Sequence, residues 1–369
     1  MQTLYLHIGW RKTGSSAIQH YLTEAGSSLG VELVPVGMRA QTLVRDASPL
    51  AHHALATTKA AKMAELWKQV ADYTRSAASA RHLVTSELFS KDILPYRERA
   101  RLLAENLSGF GRVRVFGWLR RQDDYAASLM VQSLKHGFPA HDAGRDVPLP
   151  PDAHYAEALD NLCDHLAGAD LCIGEYQSAG SLEREFLDRI DEPAGARALP
   201  PPARINEGVS AALYGIQARL NALRLTRPAN LPRVQMLLLR AARCVAQLDQ
   251  GPKAVPITHQ QRLAILQRLA PSNERLASRH GFDITNFAPT KANVERYPAF
   301  NIATVPDPVL VEALVPEARR LHGEVGTAAS AILLKGLCEM QAPRTFIGLG
   351  IGLGRRMNPM LTNRLSLPL

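Results

Sequence analysis

The chain has 369 residues, 46% of them hydrophobic and 21% charged, enough apolar material for one large core and an accessory part. Lysine and arginine outnumber aspartate and glutamate by 43 to 34, and the resulting net charge of +9 suits a polyanionic ligand. The cysteines, Cys163, Cys172, Cys244 and Cys338, form no C-x-x-C pair; this argues against a zinc or disulfide framework and makes them small buried apolar side chains.

The first element is an apolar strand from Leu4. It runs into Gly9-Trp-Arg-Lys-Thr-Gly-Ser-Ser16 and then into a helix marked by Ile18, Tyr21 and Leu22. This layout builds an anion site, because N–H groups at a helix start lack intrahelical acceptors and the helix dipole adds positive potential there. Gly14 allows close backbone approach, Ser15 and Ser16 offer hydroxyls, and Lys12 brings an ammonium. A Walker A loop carries its lysine after the second glycine, whereas Lys12 precedes Gly14. An ordinary strand-to-helix turn with small polar caps has the same letters. His7, inside the strand, reads as a hydrogen-bonded core residue.

Residues 54–80 read as helical on the spacing of Met63, Leu66, Trp67, Val70 and Tyr73, with His52 and His53 unplaced before them. His82 to Thr85 reads as a buried strand ending in Ser86-Glu87, and residues 96–108 as a helix. Arg112 to Leu119 is the next strand, with Arg120-Arg121 at its carboxyl end. Asp123 and Asp124 open a helix that runs through Ser128 to Lys135-His136, with Gly137 as its C′ residue. Strands alternating with helices predict a parallel sheet. Ligands gather beyond the carboxyl ends of such strands, so the first loop, Ser86-Glu87 and Arg120 should open into one crevice. Arg120 and Ser128 can converge there on a single anion. Glu87 is a candidate base for a hydroxyl proton. Capping the next helix, or pairing with Lys12 or Arg120, are its structural alternatives.

Lys12-Thr-Gly-Ser-Ser16 resembles the 5′-phosphosulfate loop of sulfotransferases that use 3′-phosphoadenosine 5′-phosphosulfate (PAPS). Leu119-Arg-Arg-Gln-Asp-Asp-Tyr-Ala-Ala-Ser128 is similar to that family's bacterial carbohydrate-type branch, in which an arginine and a serine bind the 3′-phosphate. The resemblance covers residues 1 to roughly 280. It implies an α/β fold, with a P-loop-like central parallel sheet flanked by helices and a mainly helical C-terminal part. A sulfotransferase domain would span 1–285 and an extension 286–369. It also implies that Arg11, Lys12, Thr13, Gly14, Ser15, Ser16, Arg120 and Ser128 bind PAPS. Lys12 would stabilise the leaving oxygen, Glu87 would take the acceptor proton, and no metal would be needed. The implied acceptor is a hydroxyl-bearing molecule, a glycan by family. Two other classes stay open: a kinase or NTPase, which would need magnesium, and a non-catalytic nucleotide-binding protein, which would tolerate loss of Glu87.

Residues 137–151 read as a Gly/Pro/Asp-rich loop, 155–166 as a helix, 171–176 as a fourth strand and 182–190 as the helix after it. A proline-rich link at 199–203 leads to Asn206 and Ser210, which look like a bacterial family motif; a helix N-cap explains Ser210 equally. Helices are expected at 209–224, 232–249 and 258–269, with another starting at Pro271 on a capping pattern. Phe346-Ile-Gly-Leu-Gly-Ile-Gly-Leu-Gly354 lacks the strand–helix context of a nucleotide loop. With Arg355 and Arg356 behind it, it suits a membrane surface or a partner subunit as well as a packed tail. No RNA-binding signature appears, so no nucleic acid is expected. No apolar run reaches the ~18–20 residues of a membrane span, and the first strand leaves no room for a signal peptide. A reducing, cytoplasmic setting is expected.

Overall fold

The computed structural model describes residues 2–25, 29–38, 51–135, 146–176, 182–190, 210–222, 231–244, 253–301 and 308–341. Its centre is a five-stranded, all-parallel sheet in the order β2-β3-β1-β4-β5. The strands are β1 (Thr3–His7), β2 (Glu32–Leu33), β3 (Arg81–Thr85), β4 (Arg112–Leu119) and β5 (Asp170–Glu175). Four of these match the expected strands. β2 is an addition: its two residues carry no apolar run, and it is held by pairing to His82 and Leu83. Glu32 also accepts a hydrogen bond from the Tyr73 hydroxyl.

Apolar side chains of period two face both sides of the sheet, so the strands read as nearly continuous hydrophobic runs. Leu4, Leu6, Val84, Val113 and Val115 pack under α2 (Ala60–Ser76), α3 (Arg97–Leu107) and α5 (Tyr155–Cys163). Tyr5, Leu83, Phe116 and Trp118 pack on the other side, under α1 (Ser15–Ala25) and α6 (Leu182–Arg189). Helix α4 (Gln122–Lys135) follows β4.

A second apolar core joins α7 (Ala211–Ala222) and α8 (Leu231–Cys244) to two later helices. Between them the chain returns to the sheet as α9 (His259–His280) and the short α10 (Lys291–Glu295). The second core is completed by α11 (Pro308–Val325) and α12 (Ala328–Gln341). Helices on both sides of residue 285 therefore share one interior. Ser210 accepts a hydrogen bond from the Leu213 N–H at 3.3 Å, so it serves α7 as an N-terminal cap.

Helix α9 corrects the expectation of a break at Pro271. It starts in the Thr258–Gln261 capping box, runs unbroken through Pro271 and stops at Gly281, φ +64°. A proline inside a helix costs about 3 kcal/mol, but Pro271 is exposed while the next two side chains are buried and hydrogen-bonded. Ser272 donates to Glu157 at 2.5 Å, and Asn273 accepts from Gln122 at 2.5 Å. The cysteines also differ from expectation. Cys163 and Cys172 are half-buried and Cys338 is exposed, all as free thiols. The expected features at His136, Gly137, residues 137–145, 199–203, Asn206 and 346–356 lie outside the described residues. Among the described residues no helix is long and apolar enough to cross a membrane.

Candidate active site

The chain leaves β1 toward β2 and β3 on one side, then crosses to β4 and β5 on the other. Strand order therefore reverses at β1, and the crevice beyond its carboxyl end is where an open α/β sheet places its ligand. The first loop, the turn after β3 and Arg120 after β4 all emerge there. Hydrogen bonds lace them together. The Ser86 N–H donates to the His7 carbonyl at 3.1 Å, and the Ser90 hydroxyl to the Gly9 carbonyl at 2.9 Å. Arg120 donates from its guanidinium to the Lys12 carbonyl at 3.1 Å. The structure thus joins the two segments that the sequence places over 100 residues apart.

The loop is held in shape by its own residues. The Thr13 hydroxyl donates to the Trp10 carbonyl at 2.5 Å, and the Thr13 N–H to the same oxygen at 3.3 Å. Thr13 is buried and shapes the turn from inside. Gly14 has φ +82°, and a Cβ there would stand 2.3 Å from Leu182 Cδ2, so only glycine fits. Lys12 has φ +68°, the only positive φ at a non-glycine position among the described residues. Such strain collects at functional sites and costs about 1–3 kcal/mol. The first-turn N–H groups at Ser15 and Ser16 precede any intrahelical acceptor. The Ser15 hydroxyl oxygen is buried with no partner among the described residues.

Arg11 turns away from the expected anion role. Its guanidinium forms two hydrogen bonds to Asp152, at 3.0 and 2.8 Å. Asp152 also accepts from the Tyr125 hydroxyl at 2.6 Å, and its carbonyl accepts from the Trp10 indole at 3.1 Å. Asp152 thereby fastens two loop residues to α4. Its partners lie far away in sequence, and no local pattern announces it. Asp152→Asn is expected to destabilise the fold by on the order of 2 kcal/mol, read by denaturant unfolding, because it weakens hydrogen bonds from a charged donor.

Arg121 is likewise structural. It is buried in a bidentate pair with Asp123, stacks on Tyr297 and donates to the Asn293 carbonyl at 2.7 Å. Arg262 completes this network with bonds to Asp123 and Asp124, both 2.8 Å. Ser128 is half-buried on the second turn of α4, and among the described residues no hydrogen bond ties it to Arg120 or to the loop. Ser16 is also half-buried.

Glu87 is half-buried beside Lys12, Arg11 and Lys91, whose positive charges act on it. Its carboxylate nonetheless makes no hydrogen bond and no ion pair within 4 Å among the described residues. Burial wins over those cations and holds its carboxyl above the ordinary glutamate range. The local turn is closed by Ser86, whose hydroxyl accepts from the Leu88 N–H at 3.2 Å. A π-helical turn, Phe89–Ile93, follows immediately; such turns are frequent at functional sites.

The histidines sort themselves by partner. His7 is buried with Nδ1 2.8 Å from the Thr85 hydroxyl, as expected for a core residue. His52 bridges the Thr85 N–H and the Val34 carbonyl, and burial pushes it down to about 4. His53 Nδ1 lies 2.9 Å from the Ser86 hydroxyl, at the rim of the same crevice. Among the described residues no group of three or more His, Cys, Asp or Glu side chains is placed to hold a metal. Comparison of the chain with protein-family models, with curated proteins and with solved structures finds no match.

Proposed function

We propose that the chain is a sulfotransferase that moves a sulfuryl group from PAPS to an acceptor hydroxyl, and that its first loop is a P-loop-like cradle for the 5′-phosphosulfate. The observation that carries this reading is the hydrogen bond from Arg120 to the Lys12 carbonyl, which sets the β4 cation against the loop. The residues suit the donor. Gly14 takes the positive φ that turns the loop into α1, the buried Ser15 hydroxyl has a bond still to make, and Lys12 and Arg120 supply positive charge. Thr13 and Arg11 hold the cradle's shape rather than its contents.

The transfer is an in-line displacement. The acceptor oxygen bonds to sulfur as its proton passes to the Glu87 carboxylate. The bond between sulfur and the bridging oxygen breaks, and adenosine 3′,5′-bisphosphate leaves with that electron pair. Lys12 neutralises the bridging oxygen as its charge grows. Positioning and preorganised donors lower the barrier, as in phosphoryl transfer. A glycan acceptor follows from the family resemblance, and a cytoplasmic setting matches where the donor is made.

Thermal-shift titration tests this directly. Stabilisation by adenosine 3′,5′-bisphosphate without magnesium supports the reading, whereas stabilisation only by ATP with magnesium replaces it with a kinase or NTPase. Turnover of labelled PAPS then separates an enzyme from a nucleotide-binding scaffold. Arg120→Ala is expected to weaken bisphosphate binding about 10- to 100-fold by calorimetry, the worth of a hydrogen bond to a charged group.

A further inference from the structure

Beneath the loop lies a buried polar chain that the mechanism above leaves unused. The His7 side chain projects from the face of β1 that carries Tyr5, and its ring is fixed on two aromatic neighbours. It stacks on Phe116 with centroids 5.3 Å apart and meets Trp118 edge-on at 5.6 Å. Its Nδ1 lies 2.8 Å from the Thr85 hydroxyl, and Gln19 of α1 donates to that same oxygen at 3.5 Å. His7, Gln19 and Thr85 are all buried. The Thr85 hydroxyl can accept from Gln19 and donate to His7 Nδ1, and a neutral ring bonded in that way carries its own proton on Nε2. Burial, reinforced by Arg189, pushes His7 down to about 3, so the ring is neutral.

Two buried polar atoms remain at this spot. His7 Nε2 and Ser15 Oγ both lack a partner among the described residues, and Ser15 is only 5% exposed. Gly9 relates them. A Cβ at Gly9 would stand 2.1 Å from Ser15 Oγ and 3.3 Å from His7 Cε1, so both side chains crowd one side of that glycine. Ser15 Oγ and the edge of the His7 ring thus stand beside the same point of the backbone. Buried polar atoms with no protein partner commonly bind an internal water.

We propose that His7 is a positioning residue for the anion loop: its Nε2–H donates through one buried water to Ser15 Oγ, directing the Ser15 hydroxyl hydrogen at the anion held by the first turn of α1. The proposal rests on the reading of this loop as a phosphosulfate cradle. Ser15 alone can rotate its hydrogen freely; with an acceptor bond already made from below, it becomes a preorganised donor. Gly9 is part of the device, since any side chain there would displace Ser15.

A double-mutant cycle tests the link. His7→Phe keeps a flat ring between the aromatic neighbours but removes both nitrogens, and Ser15→Ala removes the hydroxyl. Binding of adenosine 3′,5′-bisphosphate and of inorganic pyrophosphate is measured by calorimetry on each variant. Each single change is expected to weaken binding about tenfold, and the double variant no further than Ser15→Ala alone. Strictly additive losses, or wild-type affinity in His7→Phe, would overturn the proposal. Where His7→Phe does not fold, nitrogen-15 NMR of the unaltered protein decides: a neutral Nε2–H tautomer at His7 supports it and an Nδ1–H tautomer overturns it. Binding of pyrophosphate without bisphosphate would sink the donor assignment while the cycle still judges His7. Binding of neither would end both.

Discussion

Glu87→Gln is expected to lower turnover by about 10²- to 10⁴-fold, the range attributed to general base catalysis, while leaving bisphosphate affinity within a factor of two or so of the original. The expectation follows from the isolation of this carboxylate. A glutamate held by an ion pair or a cap would be spent on structure. Glu87 has neither among the described residues, yet it stands within the field of Lys12, Arg11 and Lys91. Burial raises its carboxyl despite those cations, which strengthens it as a base. The same shift fixes the sign of two pH effects. Activity needs the ionised form, so it should fall as pH drops through the raised folded pKa, and Glu87→Gln should lack that acidic limb. Stability runs the other way. A carboxyl raised on folding adds stability below its unfolded pKa, and this is lost as pH rises through the folded one. The melting temperature of Glu87→Gln should therefore gain on the parent protein across that interval and then level off. A glutamine variant that is fully active at neutral pH, or one that loses stability there, would remove Glu87 from the reaction.

Much of this site was legible in the residues because the strands that carry it are buried on both faces. Such strands stand out as apolar runs, and whatever polar residues follow them must sit at the sheet's edge. That is why Lys12, Glu87 and Arg120 read as residues of one crevice. Legibility failed wherever a role depends on a partner remote in sequence. Arg11 has the composition of an anion ligand, yet Asp152 claims its guanidinium. Arg121 sits next to Arg120 in sequence but is buried against Asp123 and Tyr297. Pro271 signals a helix start by local rules, and only the burial of Ser272, Asn273 and Leu276 against other helices carries α9 through it. β2 escaped for the opposite reason: a two-residue edge strand with a glutamate has no pattern to read. Of the second core's helices, α7 and α8 stand where the spacing puts them, whereas α11 and α12, and the joining of all four across residue 285, have no counterpart in the sequence reading.

Lys12 tests whether strain and charge in the loop serve the same end. Its φ of +68° is a conformation that glycine adopts freely and other residues resist by about 1–2 kcal/mol. A loop selected for stability alone would carry glycine there. Lys12→Gly should relieve the backbone, and after glycine's larger unfolded-state entropy is subtracted, stability should be unchanged or higher by up to about 1 kcal/mol. Turnover should nevertheless fall about 10²- to 10³-fold, since the ammonium that meets the leaving oxygen is gone. Lys12→Ala keeps the strained φ and loses the same ammonium, so it should match glycine in turnover and fall below it in melting temperature. That ordering separates the two contributions: if Lys12→Gly is both more stable and as active as the parent protein, the lysine has no part in stabilising the leaving group. If both variants are slow but only glycine is stabilised, the strain at this position is retained because the ammonium must stand at the mouth of the cradle, above the first turn of α1, where a developing negative charge needs it.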